Sequence, residues 1–138
     1  MKKLLFSTGC FCLAAHILLM APACKKDNPS PNDKPAFCDT ISVTTYTNGV
    51  KSIIDNSCAY AGCHDGAGGI GPGNFNNYNG LKPFLSNGAM FERVINRKDD
   101  PAVGMPPNKS VYPQSQKDDL TEAELRIMRC WLLSEFPE

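Results

Sequence analysis

At 138 residues the chain has the length of one domain. With 42% hydrophobic and 20% charged residues, most of it can bury a core, while Gly and Pro at 11 each point to long loops rather than a continuous bundle. A formal charge of +0, without a basic cluster, gives no ground for a nucleic-acid partner.

Lys2 and Lys3 precede an apolar run from Leu4 to Met20, too short and interrupted for a membrane span. With Ala21-Pro22-Ala23 after it, residues 1–23 read as a secretory signal. Cys24 follows at once, before Lys25-Lys26-Asp27, and this segment resembles bacterial lipoprotein precursors. That resemblance implies a lipidated Cys24 as the mature N-terminus and a membrane anchor. It departs from the usual pattern at Ala21 and Pro22, and Ala-x-Ala also suits ordinary cleavage before Cys24. Cleavage removes Lys2 and Lys3 and no acid, leaving 12 basic against 14 acidic residues, a formal −2. It also removes Cys10, Cys12 and His16, so His64 becomes the only mature histidine. A histidine-rich metal site, a triad with a second titrating His, and bis-histidine haem from one chain are thereby excluded. Residues 24–36, with Pro29, Pro31 and Pro35 among polar side chains, read as an extended tether. About 10 residues at roughly 3 Å each would hold the domain some 30 Å from a membrane.

The domain proper occupies 37–138. Val50, Ile53 and Ile54 lie on one face of a short helix running to Asn56, which Thr47 or Asn48 could cap. From Asp65 to Asn79 the chain is Gly- and Asn-rich and reads as a loop. Leu81, Phe84 and Leu85 repeat the helical spacing, with Pro83 restricted to the first turn, and Phe91, Val94 and Ile95 repeat it again. Arg97 to Asp118, carrying Pro101, Pro106, Pro107 and Pro113, is a second long loop. The last element is the clearest: Thr121 with Glu124 makes a capping box before a stripe of Leu125, Met128, Trp131 and Leu132. Only Ile41 to Tyr46 alternates as a strand would, and it is short. The expected fold class is all-α, with loops long enough to wrap something.

Between the first helix and the first loop stands Cys58-Ala59-Tyr60-Ala61-Gly62-Cys63-His64. Two close cysteines and an adjacent histidine are what covalent attachment of haem c requires, each thiol adding to one vinyl group and the imidazole lying under the iron. The usual spacer is two residues and this one is four, so the extra residues must bulge away. Gly62, free to take positive φ, would ease that bend. The alternatives for these residues are a disulfide or half a zinc site.

The order of motifs resembles the class I-like c-type cytochromes, in particular small secreted bacterial ones whose attachment motif has four intervening residues. The matching pieces are a helix over Val50–Asn56, the motif Cys58–His64, Gly71-Pro72, Met105-Pro106-Pro107 and a C-terminal helix over Thr121–Phe136. They cover about three quarters of the mature chain, and each motif after the first is weak alone. The resemblance implies a cytochrome c-like helical domain with loops wrapping one covalent haem, and a C-terminal helix packed across the first. It implies His64 and Met105 as iron ligands and the Pro72 carbonyl as acceptor from the other His64 ring N–H. Met128, on a helical stripe, reads as core, and Met90 stays undecided. With Cys58 and Cys63 given to haem and Cys24 to lipid, Cys38 and Cys130 remain, and in an oxidising envelope two leftovers pair unless both are buried free thiols.

The function expected is that of a monohaem electron carrier in the cell envelope, with redox proteins as partners, and not an enzyme. Two other readings stay open. One is a structural zinc module using Cys58, Cys63, His64 and either Cys38 or Cys130. The other is a haem enzyme with an open distal site, against which the sequence supplies no distal His or Arg–His pair.

Overall fold

Thr121 and Glu124 close the capping box the sequence announces: the Thr121 hydroxyl accepts from the Glu124 N–H, and the Glu124 carboxylate accepts from the Thr121 N–H at 2.8 Å. The computed structural model describes residues 34–43 and 45–138. Residues 1–23, read from the sequence as a signal, Cys24, and the stretch read as a tether as far as residue 33 lie outside the described residues. Among the described residues the fold is all-α, with no strand and one isolated bridge between Asp65 and Asn74. The helices are α1 (Lys51–Ser57), α2 (Tyr78–Ser86), α3 (Ala89–Phe91, continued by a wider turn over Glu92–Asn96) and α4 (Glu122–Leu133). No helix among these is long and apolar enough to cross a membrane.

Two helix starts differ from the sequence expectation. An irregular turn over Tyr46–Val50 leads into α1, and its cap is Thr45, whose hydroxyl accepts from the Asn48 N–H at 3.1 Å, rather than Thr47 or Asn48. Helix α2 begins at Tyr78, inside the stretch read as loop, because the Asn77 side chain accepts from the Gly80 N–H. Pro83 therefore falls inside the helix and not in its first turn. Its missing N–H costs the helix a bond there, on an exposed position near the C-terminal end.

One core joins these pieces. Val50 and Ile54 meet Leu81, Leu85, Met90 and Val94 from α2 and α3, and Met128 and Trp131 from α4. Burying each such side chain contributes roughly 1.5–3 kcal/mol. Met128 and Met90 are both core residues, which settles the latter. The expected stripe on α4 holds at Met128 and Trp131, while Leu132 is only partly buried and Leu133, not in the stripe, is buried. Helix α4 rests chiefly on the turn before α1, on Glu92–Asn96 and on a 3₁₀ turn over Ala36–Thr40. Its crossing is thus with the entry to the first helix: Trp131 lies 6.4 Å from Tyr46, centroid to centroid. Cys38 and Cys130 are disulfide-bonded, with Cα atoms 5.3 Å apart, stapling that 3₁₀ turn to α4.

Candidate cofactor-binding site

Helix α1 ends where the Cys58 and Ala59 N–H groups both donate to the Ile54 carbonyl. The chain then curls: the Cys63 N–H donates to the Tyr60 carbonyl at 3.0 Å and the His64 N–H to the Cys58 carbonyl at 3.0 Å. These bonds close Cys58–His64 into a compact ring. The bend needs Gly62, which sits at φ +87, as its place in the four-residue spacer predicts. Residues 65–75 then fold back over the motif, with Ile70 bonded to Gly62, Gly71 to Cys63 and Phe75 to His64.

That return fixes the imidazole. Phe75 stacks on the His64 ring at 4.1 Å with planes 2° apart. Gly71 comes so near that a Cβ there would lie 2.6 Å from Cε1 and Nδ1. His64 Nδ1 is 2.8 Å from the Pro72 carbonyl oxygen, the contact the cytochrome resemblance implies. A carbonyl can only accept, so Nδ1 carries the proton and Nε2 the lone pair. Burial holds His64 below the usual histidine range; the Pro72 hydrogen bond opposes this, and the charge of Arg93 adds to it. The ring is thus neutral at pH 7, with an Nε2 that has no hydrogen-bond partner among the described residues.

Beside it both motif cysteines are free thiols. Cys63 is buried and Cys58 partly so. Burial around its sulfur, followed by the neighbouring Cys63, pushes the Cys58 thiol up to about 12. The hydroxyl of Ser57, next to Cys58, is buried with no hydrogen-bond partner among the described residues.

Met105 enters from the second long loop. Its N–H donates to the Arg93 carbonyl at 3.1 Å, and its side chain is half-buried against the core. The groups the cytochrome reading assigns are an imidazole nitrogen and two thiols within Cys58–His64 and, on a separate loop, the Met105 thioether. That set suits a covalently held haem, with nitrogen and thioether for iron and thiols for the vinyl groups. The zinc alternative loses its fourth ligand, because Cys38 and Cys130 are bonded to each other at the far end of α4. Among the described residues no three or more His, Cys, Asp or Glu side chains gather to hold a metal.

Sequence reasoning missed Phe75 as the imidazole's stacking partner, since loop contacts carry no periodic signal. Gly71 was named only for its place before Pro72. Among the described residues the domain is an all-α fold with one oriented histidine directly after two free motif cysteines. Compared with protein-family models, with characterised proteins and with solved structures, the chain matches none.

Proposed function

We propose that the protein is a monohaem c-type cytochrome that carries electrons in the cell envelope. Cys58 and Cys63 would hold the haem through thioethers, and His64 Nε2 and Met105 would be its iron ligands. The observation that carries this reading is the His64 imidazole, held neutral with Nδ1–H on the Pro72 carbonyl and its Nε2 lone pair free, next to two free thiols. When bound, the group supplies a one-electron ferrous–ferric couple. The chain's own contribution is orientation: Pro72 fixes the tautomer, Phe75 and Gly71 fix the ring, and the Arg93 carbonyl holds the Met105 backbone. A soft thioether favours ferrous iron and raises the potential relative to two nitrogen ligands. With His64 and Met105 both ligating the iron, the protein would pass electrons to redox protein partners and transform no substrate.

Ligation by Met105 decides between carrier and haem enzyme. Protein made with a haem-maturation system should show the weak red-edge band of sulfur-to-ferric-iron ligation and bind carbon monoxide poorly when reduced. Met105→Ala should lose the band, lower the potential and admit carbon monoxide, whereas Met128→Leu should do none of these. An unchanged spectrum and potential in Met105→Ala would assign the sixth position elsewhere or leave it open. The Cys24 environment in the sequence supports a lipid anchor and a 24–36 tether. Wild type found wholly soluble in a lipoprotein-competent host would refute the anchor.

A further inference from the structure

The four-residue spacer between the motif cysteines has one large side chain, Tyr60, and its hydroxyl is engaged far along the chain. The Gln116 N–H donates to the Tyr60 oxygen at 2.8 Å. The Ser115 hydroxyl lies 3.3 Å from the same oxygen and 2.6 Å from the Lys117 carbonyl. A serine has one proton and the carbonyl takes it, so Tyr60 must donate to Ser115. Ser115 is itself buried, at 4% exposure. Lys117 pairs with Glu124, the capping residue of α4, so the hydroxyl is tied to the start of that helix. Gln114 of the same segment lies against Gly62, 3.8 Å from where a Cβ would stand.

At its other end Tyr60 holds the second cysteine, because its carbonyl accepts the Cys63 N–H at 3.0 Å. The bulge that a longer spacer creates is therefore pinned on both sides, by Tyr60 and by Gly62. From this arrangement, and resting on the cytochrome reading, we infer that Tyr60 is a positioning residue that sets Cys63 for its thioether bond. In that bond the Cys63 S–H adds across a porphyrin vinyl group. A sulfur–carbon bond forms, the double bond is lost, the proton goes to the neighbouring carbon, and no oxidant or reductant is consumed. Cys58 needs no such help, since it follows directly on α1 and its N–H is fixed by Ile54.

The test uses Tyr60→Phe, which keeps the ring and loses the hydroxyl's bonds, expressed with a haem-maturation system beside wild type and Leu85→Ala. Leu85 is buried in the core, and its truncation weakens the fold without removing any hydrogen bond of Tyr60. Purified haem-bearing protein is unfolded, its free thiols are tagged with iodoacetamide, and tagged peptides are counted by mass spectrometry. Tyr60→Phe should raise the tagged fraction at Cys63 about fivefold, as loss of one or two hydrogen bonds allows, with Cys58 still attached. Its pyridine haemochrome band should move toward the single-thioether position in proportion. Leu85→Ala should lower the yield and leave both cysteines attached. Equal tagging in Tyr60→Phe and wild type, or the same Cys63 tagging in Leu85→Ala, overturns the positioning role while the cytochrome reading stands. Wild type without covalent haem overturns both.

Discussion

Removing the Cys38–Cys130 bond should cost the domain a large part of its stability. The bond joins residues 92 apart, and the chain-entropy model gives about 4–5 kcal/mol for closing a loop of that size. Against a usual total of about 5–15 kcal/mol this is a major share. For a domain of about 100 residues, an unfolding entropy near 2 cal/mol/K per residue turns it into roughly 20 °C of melting temperature. The structure gives a reason for the loss to be felt globally: the bond fastens the 3₁₀ turn over Ala36–Thr40 to α4, and Trp131 stands directly after Cys130. Urea unfolding of Cys38→Ala/Cys130→Ala should be compared with oxidised wild type and with wild type reduced at this bond. The reduced protein isolates the cross-link, and the variant adds the two missing sulfur atoms. Oxidised and reduced wild type should differ by several kcal/mol at nearly constant denaturant slope. A difference below about 1 kcal/mol would refute the argument, showing that the unfolded chain gains little freedom from the break.

Gly71→Ala should act by contact alone, since Gly71 is not among the positive-φ glycines and its Cβ would press on His64 Cε1 and Nδ1. An overpacking cost of about 1–3 kcal/mol is expected, with a shifted red-edge band and potential; an unchanged spectrum would mean the loop yields and the ring does not. Glu124 is held below the usual glutamate range of 4.5: burial alone would raise it, but the Lys117 ammonium and the Thr121 hydrogen bonds outweigh that. A depressed carboxylate contributes stability above its unfolded value and loses it as pH falls through the folded one, so stability should decline below about pH 4.5. Glu124→Gln should be less stable at pH 7 and show a shallower acid decline in urea midpoints; an identical pH profile would remove Glu124 from the account.

What the sequence conveyed, and what it withheld, follows from the range of the forces involved. The capping box at Thr121 and Glu124 was legible because both partners sit within one turn. Gly62 was legible because a spacer two residues longer than usual needs a backbone that can turn. The Thr45 cap was missed because several candidate caps stand in a row, at Thr45, Thr47 and Asn48, and helical spacing does not choose among them. Pro83 misled because its ring was weighed and the cap at Asn77 was not. Tyr60 with Ser115 and Gln116, and the surroundings of His64, depend on contacts between loops with no period to read. Only the order of motifs, through the cytochrome resemblance, pointed at Pro72 and Met105.

The central claim is that Cys58 and Cys63 carry haem as thioethers beside His64. It is tested most directly by acid–acetone extraction of full-length protein coexpressed with a haem-maturation system. The account predicts that haem stays with the polypeptide, with a pyridine haemochrome spectrum of two saturated vinyl groups. A tryptic peptide spanning Cys58–His64 should carry the added porphyrin mass. Complete extraction of haem into the acetone phase, or protein isolated with stoichiometric zinc and two alkylatable thiols at Cys58 and Cys63, would contradict it.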